Sequence, residues 1–232
     1  PAAAGGAAAP AAAGDAAGSP LEIKDFSVSP SSVKEHIPLG IAKTDKIVIR
    51  NTGNANLSFR LGVITIDEFV SLSDSGFLLE PGEEKAVEIN IIGKKLGSYL
   101  GEIEISADGI KKSISVVIEV ESDQVLFDVK MDIPTAYEEI EAGKELKAQI
   151  TLFNIGQRRV DVTPTYIIKD KRGNVIYEAS ETFAVEKQKS YVKSIKLPGN
   201  LQPDDYLAVV ELRYENSFAV SSELFRVLPK EE

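Results

Sequence analysis

The chain has 232 residues, enough for one large or two ordinary domains. Its 26 basic and 36 acidic side chains give a net charge of −10, which repels nucleic-acid phosphates and anionic lipid head groups. With no cysteine and a single histidine, disulfides, thiolate chemistry and Cys/His metal sites are excluded together. No apolar run approaches the ~18 residues that cross a bilayer, so no direct membrane insertion is expected within the chain.

Residues 1–20 are almost entirely Ala, Gly and Pro. They hold no large apolar side chain to offset the entropy of ordering, so they are expected to form a disordered tether. The chain begins at Pro1 instead of Met, so an upstream segment is expected to have been removed, and an anchor beyond its ends fits this reading.

From Leu21 onward apolar residues recur with a period of two. Val87, Ile89 and Ile91 alternate with Glu88 and Asn90. Ile103 and Ile105 alternate with Glu102 and Glu104, and Ile114, Val116, Ile118 and Val120 share one face opposite Ser113, Ser115 and Glu119. Tyr206, Ala208, Val210, Leu212 and Tyr214 alternate with Leu207, Val209, Glu211 and Arg213. Successive side chains of a strand point to opposite faces, so each run predicts a strand covering one side of a core. Pro81-Gly82, Asp108-Gly109, Ala142-Gly143, Asp170 to Gly173 and Pro198-Gly199 punctuate these runs as turns, and Asp108-Gly109 suits a two-residue hairpin turn. Many short strands with frequent turns predict an all-β protein of sandwiches.

Two landmarks recur. Asn51-Thr52-Gly53 and Asn154-Ile155-Gly156 each end one strand-like run and precede another. Tyr99 and Tyr206 each open a strand after a turn, where an immunoglobulin-like sandwich has its corner tyrosine. The copies lie roughly one hundred residues apart, about one such domain. The expected organisation is a tether over residues 1–20 and two tandem immunoglobulin-like β-sandwiches of about seven strands each, over residues 21–122 and 123–232. The junction Glu121-Ser122-Asp123-Gln124 is short and lacks glycine, so a limited range of interdomain angles is expected.

These motifs carry a family resemblance. The runs Ile47 to Asn54, Phe77 to Glu84 and Gly97 to Ile103 resemble the hydin and major-sperm-protein group of immunoglobulin-like domains. Phe153-Asn154-Ile155-Gly156 with Asp204-Asp205-Tyr206 is similar to CARDB, a cell-adhesion-related domain of bacterial and archaeal envelope proteins. The resemblance implies a cell-surface or extracellular spacer or adhesion module. A third likeness, to two-domain periplasmic pilus chaperones, implies a long final strand in the first domain, an extended loop before it and a basic pair in the cleft. Ile114–Val120 has the alternation, but the preceding loop is only Ala107-Asp108-Gly109 and no basic pair is evident.

Chemistry is sparse. His36 is the only histidine base and sits in a stretch expected to be a surface or edge. Asp204-Asp205 and Glu138-Glu139-Glu141 offer oxygen ligands for calcium, but adjacent acids in turns are usually hydrated, and neither has the spacing of a calcium hand. Tyr166, Tyr177 and Tyr191 would have to line one face to bind a sugar, and core packing is the commoner reason for such tyrosines. Asn56-Leu57-Ser58 is the one N-glycosylation triplet, placing a possible glycan on Asn56. No catalytic residue, metal ligand or cofactor is expected. The chain reads as a non-enzymatic scaffold or adhesion protein whose partners are other proteins or neighbouring subunits of a surface assembly. The alternatives are a subunit or chaperone of an extracellular filament acting by β-strand addition, or accessory domains of a larger envelope enzyme.

Overall fold

A computed structural model describes residues 21–124, 126–156 and 158–229; the expected tether lies outside them. The first sandwich contains β1 (Phe26–Ser29), β2 (Ser32–Pro38), β3 (Ala42–Asn51), β4 (Leu57–Ile64), β5 (Val70–Leu72), β6 (Gly76–Leu79), β7 (Glu84–Ile92), β8 (Gly97–Ala107) and β9 (Ile110–Glu121). The second contains β10 (Phe127–Asp132), β11 (Glu139–Glu141), β12 (Glu145–Asn154), β13 (Val160–Val162), β14 (Thr165–Lys169), β15 (Val175–Ser180), β16 (Phe183–Val185), β17 (Gln188–Lys196), β18 (Asp204–Tyr214) and β19 (Ser217–Leu228). A single 3-10 turn, Thr135–Tyr137, is the only helical element among the described residues.

The first sandwich packs sheet β1-β3-β7-β5 against β2-β9-β8-β4-β6. The second packs β10-β12-β17 against β11-β19-β18-β14-β15, with β13 and β16 as a small extra ribbon. Nine and ten strands appear instead of about seven, because the chain changes sheets within each sandwich. β1 and β2 belong to opposite sheets, as do β5 and β6, and the same split separates β10 from β11. Pieces of three or four residues such as β5, β6 and β13 are too short to show a period.

Each core follows the alternation. Ile47, Ile49, Val87, Ile89, Ile91, Ile103, Ile105, Val116 and Ile118 are buried between the first pair of sheets. Leu146, Ala148, Ile150, Tyr166, Ile168, Ala208, Val210 and Leu212 fill the second. The predicted hairpin turn is present: Asp108 and Gly109 have φ of 45° and 91°, joining β8 to β9 with Ala107 opposite Ile110.

Both repeated landmarks are structural devices. Asn51 is fully buried at the end of β3; its Nδ2 donates to the Ala55 and Leu79 carbonyls at 2.8 and 3.1 Å, and its Oδ1 accepts from the Gly53 amide. Asn154 repeats this at the end of β12, donating to the Arg158, Val185 and Glu186 carbonyls and accepting from the Gly156 amide. One amide side chain thereby ties its own turn to the loop of a neighbouring strand and satisfies backbone groups that the ladder leaves open. The Tyr99 hydroxyl meets the Lys95 and Leu96 carbonyls while its ring packs 4.2 Å from Phe69. The Tyr206 hydroxyl donates to the Gln202 carbonyl and its ring stacks on Phe225. Both are corner tyrosines, as their positions predict.

Candidate functional site at the junction of the sandwiches

Where the two sandwiches face each other, β8, β9, β18 and β19 are buried on both faces over part of their lengths. Along β18, Tyr206 to Val210 are buried without interruption, and along β19 Ser217 to Ser222 are too. The inward half of those residues belongs to the second core. The outward half, Leu207 and Val209 with Phe218 and Val220, meets Leu100 and Val117 of the first sandwich and Ile167 of β14 in a third apolar cluster. At ~25 cal/mol per Å² of apolar area, burial of this cluster favours the packed arrangement over separated sandwiches.

A polar rim closes the cluster. β9 sends Glu119 and Glu121 out of its outer face toward β19. Glu119 Oε1 accepts from the Ser222 amide at 2.5 Å and from the Ser222 hydroxyl at 2.6 Å. Glu121 Oε1 accepts from the Val220 amide at 2.7 Å, and Ser122 Oγ from the Phe218 amide at 2.8 Å. On β2, which runs parallel to β9, Lys34 reaches Glu119 at 3.4 Å and Glu223 at 3.1 Å, and donates to the Ser222 carbonyl. His36 Nδ1 lies 3.5 Å from Glu119 Oε2 and its Nε2 3.0 Å from Glu121 Oε2. With a carboxylate at each ring nitrogen, the imidazolium is the favoured form. Hydrogen bonds to Glu119 and then Glu121 outweigh desolvation and push its pKa up to about 10. Burial opposes the charge of Glu119, but the bonds from His36 and Ser222 and the nearby Lys34 hold its carboxyl below the usual range.

On the far side of the cluster, Lys169 donates to the Ser98 carbonyl at 2.7 Å, and burial pushes its ammonium below the usual lysine range. Lys171 bridges the sandwiches, 2.6 Å from Glu102 and 2.8 Å from Asp204. Burial works against its charge, yet Asp204 and Glu102 raise it to about 12. Between these contacts lies a groove of about 220 Å³ lined by Phe69, Ser98, Tyr99, Leu100, Lys169 and Arg172.

His36 is therefore a half-exposed edge residue bound into an interdomain network. Ser222, Glu119 and His36 are linked with the carboxylate in the middle. A base that activates a hydroxyl must touch it, and here the fully buried Ser222 hydroxyl meets Glu119 instead of the imidazole. The arrangement holds strands together. Four of the five acids weighed for calcium are engaged by cations: Asp204 by Lys171, Asp205 by Arg226 at 2.7 Å, Glu139 by Arg226 and Glu141 by Lys144. Arg226 stands where a shared cation would have to sit between Asp205 and Glu139.

Tyr166 and Tyr191 come together with hydroxyls 2.6 Å apart, but the Tyr166 ring is fully buried and edge-on to its neighbour, so no flat sugar platform forms. Around them Lys193 lies over the Tyr166 ring at 4.3 Å and Lys189 over Phe183 at 3.9 Å. Inward-pointing lysines on edge strand β17 are a common way to discourage pairing with another chain. Asn56 is exposed just before β4. Glu119, Glu121, Lys34 and Lys169 are the site residues that sequence reasoning missed. Their one visible signal was apolar residues on both faces of β18, a pattern of strands covered on two sides.

No protein-family model and no curated protein matches the chain. Among solved structures, a protein of unknown function from Porphyromonas gingivalis is similar over 87% of this chain and 97% of its own, with 14% identity and a TM-score of 0.42. The class 5 fimbriae chaperone CfaA covers 89% of this chain and 100% of its own, at 13% identity and a TM-score of 0.37. The C. elegans MSP family member WR4 is similar over 41% of this chain and 96% of its own, with 11% identity and a TM-score of 0.33.

Proposed function

We propose that this chain is a non-enzymatic scaffold or adhesion module outside the cell or on its surface, acting through protein–protein contacts as a two-sandwich spacer of fixed angle. The double-sided burial of β18 and β19 supports this reading: the apolar cluster and its polar rim join the sandwiches as one unit. A spacer that transmits position needs such a joint, whereas a hinge enzyme needs one that opens. The second sandwich reads as a CARDB-like domain of a prokaryotic, archaeal-type envelope protein on its Asn154-Ile155-Gly156 and Asp204-Asp205-Tyr206 motifs.

Photo-crosslinking in native cells tests the reading, with the reactive group at exposed Val192 or Ile41. Discrete adducts with another envelope protein are expected, and a chain recovered only unlinked from both positions overturns it. Rigidity is checked separately by spin labels at Ser58→Cys and Ser190→Cys, both exposed and free of competing cysteines. One narrow distance is expected.

A filament subunit that exchanges strands is the second reading, favoured by edge strand β15, Val175–Ser180, which holds no Lys, Pro or Gly. Donation by β9 in the manner sought from the sequence is disfavoured. β9 lies between β8 and β2, with its Ser115–Glu121 portion already paired to β2.

A further inference from the structure

β19 pairs with β18 along one side. On its other side the described residues include a paired strand only at Arg226–Leu228, where β11 joins it in parallel; β10 runs beside Ser217–Ser221 without pairing to it, the Leu126 and Met131 amides donating to the Ser217 and Ser221 hydroxyls on the inward face. In an extended strand the N–H and C=O groups of alternate residues point to the same side, so Phe218, Val220 and Ser222 present a row of hydrogen-bonding groups there. The first sandwich fills that row with side chains. Ser122 Oγ, Glu121 Oε1 and Glu119 Oε1 accept from the three amides in order. The Ser122 amide donates to the Phe218 carbonyl at 3.2 Å, and Lys34 donates to that of Ser222. The acids and Ser122 thus stand in for a missing strand.

We propose that the Phe218–Ser222 edge of β19 is a strand-addition site capped in cis by the first sandwich, and that its partner on uncapping is the same edge of a second copy of this chain. Antiparallel pairing centred on Val220 sets Phe218 opposite Ser222 of the second copy. Each Val220 then exchanges its amide and carbonyl with the other, as the open groups require. Ser217-Phe218-Ala219-Val220-Ser221-Ser222 contains no charge, Pro or Gly, so no like charges meet and nothing blunts the edge once it is open. The cap itself carries the protection that the strand lacks. Glu119 and Glu121 hold their places through Lys34 and His36, so removing the two carboxylate charges loosens the cap while leaving the edge intact.

The absence of cysteine from the sequence makes the test direct. Val220→Cys is placed in the natural background and in a Glu119→Gln/Glu121→Gln background, with Ser58→Cys as an exposed control in both. Facing cysteines across an antiparallel pair lie within disulfide reach. Under mild oxidation the double-Gln background is expected to give about thirtyfold more linked Val220→Cys dimer than the natural one, because two bonds each lose their charge assistance while keeping an acceptor oxygen. Ser58→Cys should remain low in both. Equal linking of Val220→Cys in the two backgrounds, or linking of Ser58→Cys to the same extent, overturns the proposal. Far-UV circular dichroism checks folding; if the double variant loses its strand signal, Glu121→Gln alone replaces it under the same criteria, with an intermediate yield expected. The capped state of the natural chain is the fixed-angle joint of the scaffold reading, which the crosslinking and spin-label measurements test separately.

Discussion

Replacing Glu119 by Ala isolates the polar joint between the sandwiches. The Ser222 amide and hydroxyl both lose their acceptor in a place where Ser222 is fully buried, so water cannot replace it without opening the junction. An orphaned buried donor costs about 1–3 kcal/mol. Lys34 keeps Glu223 and the Ser222 carbonyl, and His36 keeps Glu121, so neither cation is stranded. Two orphaned donors give an expected loss of about 2–5 kcal/mol, in the range measured when one partner leaves a buried charged pair. Glu119→Gln retains an acceptor oxygen and removes only charge, so about 1 kcal/mol is expected for it. Urea unfolding followed by circular dichroism measures both losses, and amide exchange by NMR locates them: Ser222 should lose protection while Val220, held by Glu121, keeps it. A loss below about 0.5 kcal/mol for Glu119→Ala with Ser222 still protected would refute the assignment of these bonds as the joint.

The same network sets a pH window. His36 is raised from 6.5 to about 10, so its contribution is full below 6.5 and fades as pH rises toward 10; Glu119 is lowered from 4.5, so its contribution holds above 4.5 and is lost in acid. Stability should therefore be greatest between about 4.5 and 6.5 and decline on the alkaline side, and His36→Gln should flatten the alkaline limb alone, as thermal melts across pH would show. Asn51→Ala should cost about 2–3 kcal/mol because Asn51 is fully buried and makes three bonds, against about 1 kcal/mol for the more exposed Asn154→Ala, by denaturant midpoint. A Cβ on Gly101 would lie 2.4 Å from Ile66 Cγ1 and 2.6 Å from the Ile64 carbonyl, whereas one on Gly62 meets nothing within 4 Å. Gly101→Ala should lower stability by about 1–3 kcal/mol and Gly62→Ala should not lower it, read as melting temperatures. Asn56 is exposed at the start of its triplet, and intact mass of natively expressed protein should carry a glycan there; only the bare mass would remove that assignment.

Much of the architecture was legible because it is local. Alternation identified the inward faces of β7, β8, β9 and β18, and every apolar residue named there from β7 through β9 is buried. The Asn-x-Gly turns and the corner tyrosines were readable because each device closes within a few residues of itself or recurs at the spacing of a domain. The short strands β5, β6 and β13 escaped, since three or four residues carry no period. Tyr166 looked like one of three candidate platform tyrosines, but its burial depends on β17 and on Glu181, which no pattern within its own strand reveals.

The junction was illegible for a deeper reason. Glu119 alternates with Ile118 and Val120 as any solvent-facing residue of a half-exposed strand would, and its partner Ser222 lies on a strand that follows about one hundred residues later. Nothing in β9 distinguishes an acid that meets water from one that meets an open strand edge, because both roles need an outward-pointing acceptor. The distinguishing mark sits on the other partner. Leu207 and Val209 on the outer face of β18, with Phe218 and Val220 on β19, cannot all face water without leaving a large apolar patch, so a cover was required. The polar groups of the cover then had to match whatever hydrogen-bonding groups lay at the rim of that patch. The edge of β19 supplies amides in a row, and Glu119, Glu121 and Ser122 answer them one for one. An apolar outer face beside an unpaired edge thus predicts both where a second domain must sit and that its contacting strand must carry acceptors.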